Sequence, residues 1–162
     1  MRHFDVTVLA RELGRSCARR GVMIATAESC TGGGVAEAIT RISGSSAWFD
    51  RAFVTYTNTA KVEMLGVSSL TLDRHGAVSE ETAREMAQGA LAFSHADVSV
   101  AITGIAGPRG GTAEKPVGLV YIAWGARAGD IQLRRFHFSG PRETVREQSI
   151  AFALQGLTDL IA

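Results

Sequence analysis

The chain of 162 residues has only two cysteines, Cys17 and Cys30, with neither a CxxC pair nor metal-ligand spacing. That excludes a disulfide framework, and both read as reduced thiols. Long apolar runs are also lacking. None approaches the roughly 20 residues that span a bilayer, and Met1-Arg2-His3-Phe4-Asp5 has no apolar signal core. No membrane partner is expected, and a cytoplasmic location is. An excess of one charge is missing too: 17 basic against 16 acidic side chains leave a formal +1. This gives no global argument for nucleic acid as partner, so any anion site must be local. Acids lie dispersed along helical faces without HExxH or a P-loop, so neither a metal nor another cofactor is expected. His3, His75, His95 and His137 are scattered and read as surface or capping residues.

What is present suits one globular domain over residues 1–162, with 46% hydrophobic and 20% charged residues. Apolar residues from Phe4 to Cys17 follow helical spacing, and Gly21 after Arg19-Arg20 marks the stop. Val22 to Ala25 reads as a buried strand, and Val35, Ala38, Ile39 and Ile42 return to helical spacing over Thr31 to Ile42. Ala52 to Tyr56 reads as a strand, Lys61 to Leu65 as a short helix, and Ser79 as the N-cap of a helix ending near His95. Val98 to Ile102 is a further buried strand. The glycine- and proline-rich stretch Thr103 to Pro116 is a loop long enough to suggest function. Leu119 to Trp124 and Ile131 to Phe138 are placed to pair antiparallel, and Pro141 opens a final helix. The alternation predicts an α/β fold, a three-layer α/β/α sandwich with a mixed, mostly parallel sheet. Trp48 and Phe49 beside a turn allow two readings, a homo-oligomer surface or buried packing.

The most informative segment is TAESCTGGG, Thr26 to Gly34. It sets a hydroxyl and a thiol before a glycine-rich helix start, where free N–H groups favour anionic oxygen. A tight turn with no further role is the plain alternative. Ser29-Cys30-Thr31, Tyr56 to Lys61 and Thr103 to Gly107 all follow expected strands, and ligands gather beyond the carboxyl ends of strands in open α/β sheets. Ser29 is then a nucleophile, Lys61 the nearest credible base and Tyr56 a proton relay. Lys61 has a solvated surface lysine as its alternative reading. Cys30 competes with Ser29, since a helix N-terminus lowers a thiol pKa, or it is a small buried hydrophobe. Arg142 at the final helix start, Arg109 and Lys115 are the cations open to a phosphate.

AESCTGG from Ala27, GSSAWF from Gly44, VTYTN with Lys61 beyond, GVSSLTLDRHGAVSEE from Gly66, TGIAGPRGG from Thr103 and KPVG from Lys115 occur in one order. On these motifs the sequence resembles the CinA C-terminal domain family, and the resemblance covers nearly the whole chain. The resemblance implies deamidation of nicotinamide mononucleotide to nicotinic acid mononucleotide with release of ammonia, a pyridine-nucleotide salvage step. The expected partner is thus a small-molecule nucleotide substrate. It further implies catalysis by Ser29, Tyr56 and Lys61, and substrate contacts at Glu28, Cys30, Thr31, Gly32, Gly33, Thr103, Gly104 and Arg142. N–H groups around Thr31 to Gly33 are expected to stabilise the oxyanion. The N-terminal domain of larger members, related to molybdopterin-binding proteins, is not expected here. Thr59 departs from the glutamate common in the family's segment before the lysine. A non-catalytic nucleotide-binding module and a Cys30-dependent amidase are the competing expectations.

Overall fold

A computed structural model describes residues 4–162. Five strands form one sheet in the order β2-β1-β3-β4-β5. These are β1 (Ile24–Glu28), β2 (Phe49–Val54), β3 (Val98–Gly104), β4 (Leu119–Ala126) and β5 (Ile131–His137). β1 pairs parallel with both β2 and β3, whereas β3–β4 and β4–β5 are antiparallel. Only β4 therefore runs against the others, giving the expected mixed sheet. Of the three strands that feed the cleft, β1 and β3 are buried on both faces by helices, whereas the edge strand β2 is only partly covered.

One layer holds α1 (Val6–Arg20), α2 (Gly34–Thr40) and α6 (Arg142–Ile161). Its core joins Leu13, Ile39, Leu154 and Leu157 to Val100, Ile102 and Ile122 of the sheet. The other layer holds α3 (Asn58–Leu65), α4 (Ser69–His75) and α5 (Glu80–Ala92), with Leu65, Met86 and Ala90 over Ala27, Ala101 and Ala123. Small residues allow close approach there. A Cβ on Gly89 of α5 would strike the Leu65 carbonyl, so α3 lies hard against α5.

The local signals explain most boundaries. Asp5 caps α1 through the Thr7 and Val8 N–H groups, Gly21 ends it in the left-handed region, and Ser79 caps α5. β1 runs three residues beyond Ala25 because Thr26, Ala27 and Glu28 join both neighbouring ladders. α2 correspondingly starts at Gly34, not Thr31, after a turn in which Gly32 and Gly33 take positive φ. β2 begins at Phe49 and stops at Val54, so Thr55 and Tyr56 are free to line a loop. α4 had no strong periodic signal in the sequence. Trp48 is buried with its indole over Gly14, and Phe49 packs on the same core, so packing and not an exposed patch accounts for both.

Candidate active site

Side chains alternate along a strand, so Glu28 and Ser29 leave β1 toward opposite layers. Glu28 turns to α2. It is fully buried, and its carboxylate accepts from Thr31 Oγ1 at 2.7 Å, Val35 N–H at 2.9 Å, Ala36 N–H at 3.0 Å and Thr26 Oγ1 at 3.2 Å. The helix start expected to be open to anionic oxygen is thus filled by the protein's own carboxylate. Glu28, expected among the substrate contacts, lies behind the cavity wall. Gly32 N–H donates to Ser29 O at 3.0 Å and Gly34 N–H to Thr31 O at 2.9 Å, closing the turn. Thr31, Gly32 and Gly33 do not line the cavity; they shape the turn that carries Ser29.

Ser29 turns to α3. Lys61 Nζ donates to Ser29 Oγ and to the Thr55 carbonyl, each at 3.1 Å. Lys61 is 1% exposed, which rules out the solvated-lysine reading. Burial strips water from its ammonium and holds its pKa below the ordinary lysine value, outweighing an opposing influence from Cys30. Thr59 is exposed, and with threonine at this position the buried Lys61 amine still reaches Ser29.

These groups open onto a cavity of about 240 Å³. The three expected loops all reach it: Ser29 and Cys30 after β1, Tyr56 and Lys61 after β2, Thr103 and Gly104 at the end of β3. Arg142, the first residue of α6, joins from the opposite side. One guanidinium arm donates to Gly107 O at 2.8 Å and the other to Tyr56 Oη at 2.9 Å. Tyr56 is 59% exposed and stands at the mouth, while the Ser29–Lys61 contact is direct. Thr103 Oγ1 donates to Ala77 O at 2.7 Å, so this side chain pins the loop before α5 over the cavity.

That loop brings residues that sequence reasoning did not single out. Ala77 and Val78, with Ala106, give the cavity an apolar wall, and Asn58 adds a polar one. Arg146, one helical turn after Arg142, donates to Cys30 O at 3.1 Å and Thr31 O at 3.2 Å. Its i,i+4 spacing from Arg142 was the available signal. Lys115 donates to His75 O at 2.5 Å, and Arg109 is exposed outside the cavity. Cys30 lines the cavity, but burial pushes its thiol up to about 12, opposite to the lowering expected of a helix start. His75, His95 and His137 are exposed, as expected, and His3 lies outside the described residues. No group of three or more potential metal ligands occurs among the described residues, and no described helix is long and apolar enough to cross a membrane.

An open α/β sheet whose strand ends set a serine hydroxyl against a buried lysine is a geometry in which a neutral lysine can take a proton from a hydroxyl. The chain belongs to the CinA C-terminal domain family, whose profile matches residues 6–161. It is 53% identical over 153 residues to the nicotinamide-nucleotide amidohydrolase PncC of Escherichia coli strain K12, covering 94% of this chain and 93% of that one. The protein of the same name from Pseudomonas putida is 49% identical over 155 residues, covering 96% of each. The crystal structure of competence/damage inducible protein CihA from Agrobacterium tumefaciens matches with a TM-score of 0.95 and 48% identity, covering 100% of both chains.

Proposed function

We propose that this chain is a cytoplasmic amidohydrolase converting nicotinamide mononucleotide to nicotinic acid mononucleotide and ammonia, a step of pyridine-nucleotide salvage. The names of the relatives support the substrate. The observation that carries the chemistry is the 3.1 Å contact between Ser29 Oγ and the buried Lys61 Nζ.

In its neutral form Lys61 accepts the Ser29 hydroxyl proton through the Nζ lone pair. Ser29 Oγ bonds to the carboxamide carbon, and the carbonyl π pair moves onto oxygen. Collapse breaks the C–N bond as Lys61 returns the proton to the leaving nitrogen, releasing ammonia. Water then attacks the acyl-enzyme, giving its proton to Lys61, and as the acyl–oxygen bond breaks Lys61 passes that proton to Ser29 Oγ, restoring the hydroxyl and the neutral amine. A lysine at the reference pKa of about 10.4 is neutral in only about one molecule in 2,500 at pH 7, so the lowered value is what makes this base usable. The apolar wall of Ala77, Val78 and Ala106 suits a pyridine ring. Arg142, braced by Gly107 and Tyr56, suits the phosphate, which holds the amide in attack geometry. Tyr56 then acts at the ribose-phosphate side, its hydroxyl orienting the Arg142 fork.

Purified protein given nicotinamide mononucleotide in EDTA is expected to release ammonia. Ser29→Ala abolishes release and Cys30→Ala keeps it. Nicotinamide riboside, lacking the phosphate, is turned over with much lower kcat/KM. Tight binding of the mononucleotide with no ammonia from the wild type would assign a nucleotide-binding role instead.

A further inference from the structure

We infer that the backbone N–H groups of Cys30 and Ala106 form the oxyanion hole of this site, an assignment that rests on the amidohydrolase reading above. The donors first expected, around Thr31 to Gly33, do not suit the task. Gly32 N–H is taken by Ser29 O, Val35 and Ala36 N–H by Glu28, and neither Thr31 nor Gly33 lines the cavity.

Five of the residues lining the cavity are buried: Ser29, Cys30, Lys61, Thr103 and Ala106. Ser29 N–H donates to Ile102 O at 3.0 Å and Lys61 N–H to Thr57 O at 3.1 Å. Thr103 lies in the β3–β4 ladder opposite Tyr121. Cys30 and Ala106 remain: among the described residues neither N–H donates to another residue, and the Cys30 N–H meets only its own thiol sulfur, a weak acceptor. A buried N–H without a good acceptor is rare, because its desolvation is uncompensated. Two of them on the walls of one cavity, beside a serine held by a lysine, call for a ligand oxygen.

Both peptide planes are fixed from their far side. In a trans peptide the N–H points opposite to the preceding carbonyl. Ser29 O accepts from Gly32 N–H at 3.0 Å, which sets the plane carrying Cys30 N–H. Ile105 O accepts from Gly118 N–H at 2.7 Å, which sets the plane carrying Ala106 N–H. Arg146 clamps the other side of Cys30 through its carbonyl. Donors locked before the substrate arrives cost no reorganisation as charge develops on oxygen. The two approach from adjacent strands, one from the turn after β1 and one from the loop after β3.

The test replaces single N–H groups by ester oxygen. Lactate at position 106 is compared with wild type, and lactate at position 30 with Cys30→Ala, each read by ammonia release and melting temperature. The expected result is a kcat lower by about 10²-fold to 10³-fold at each position, with KM within about threefold and little change in melting temperature, because neither N–H donates to another residue. Unchanged kcat at either position, or a melting temperature lowered by many degrees, overturns the assignment. Ser29→Ala run alongside separates the two ideas: retained ammonia release there sinks the Ser29 reading, whereas its loss together with fully active lactate proteins sinks only the oxyanion hole.

Discussion

Glu28 and Lys61 are the two charged side chains that are fully buried among the described residues, and they stand on opposite faces of the sheet. They differ in how completely the fold answers them. Glu28 receives four hydrogen bonds and so acts as the N-terminal plug of α2, fixing the turn that carries Ser29. Lys61 has two acceptors for the three protons an ammonium would carry, and one of those is the nucleophile itself. A buried charge with a full set of partners holds shape, whereas one left short gives up its proton and becomes a base.

The sharpest way to break this comparison is Lys61→Met. General-base catalysis is worth about 10² to 10⁴ in rate, so ammonia release should fall by at least about 10², while the melting temperature rises because a desolvated amine is replaced by a thioether of similar reach. In the wild type, kcat/KM should climb with pH through the folded Lys61 pKa and then level off, at lower pH than free lysine would allow. The sign for stability follows from the same shift. Between the lowered folded pKa and the unfolded value of about 10.4, the unfolded chain binds more protons, so stability rises with pH across that window. Denaturation curves at several pH values should show this rise flattened in Lys61→Met. A pH-independent rate with an unstabilised Met variant would remove Lys61 from the chemistry.

The complementary change is Glu28→Gln. Its amide nitrogen would face donors where a carboxylate oxygen was, leaving at least one buried N–H unanswered, for a loss of about 3 kcal/mol. Chemical denaturation checks this. If Glu28→Gln kept wild-type stability yet lost turnover, Glu28 would belong with Lys61 and not opposite it. Arg142→Ala should act more gently, raising KM for nicotinamide mononucleotide about tenfold or more with a smaller change in kcat, and narrowing the preference over nicotinamide riboside. Equal KM values for both proteins would take the phosphate away from Arg142.

The contrast between these two residues was only half legible in the sequence. Strand–helix alternation gave the layers, and the position of three polar loops after strands gave the shared cleft. Ser29 and Lys61 were named from residue chemistry and motif resemblance. Glu28 enters the expected substrate contacts through the AESCTGG resemblance; the apolar run that marks β1 stops at Ala25, so nothing in the pattern extends to Glu28 and Ser29 the period-two alternation that sends them to opposite faces. The Cys30 alternative assumed a helix dipole acting on the thiol, but the field there is met by Glu28 and the thiol is buried. Ala77 and Val78 carry no chemical signature at all. Their role depends on a hydrogen bond between residues 26 positions apart, Thr103 to Ala77, which local patterns do not encode.

The smallest expected effect concerns the residue that links the pair. Thr55 is fully buried; its N–H donates to Glu28 O at 2.8 Å, and its carbonyl accepts from Lys61. Both ties run through the backbone. Its Oγ1 is the one buried side-chain polar atom without a partner among the described residues. Thr55→Val keeps the shape and both backbone bonds while removing that hydroxyl, so stability should rise by about 1 kcal/mol. The melting temperature should then move up by about 2–4 °C, with kcat within about threefold of wild type. A tenfold fall in kcat in a stabilised Thr55→Val protein would show the hydroxyl taking part in the Lys61 proton transfer. Lys61 would then be less short of partners than its two acceptors suggest, and its low pKa would owe more to burial alone.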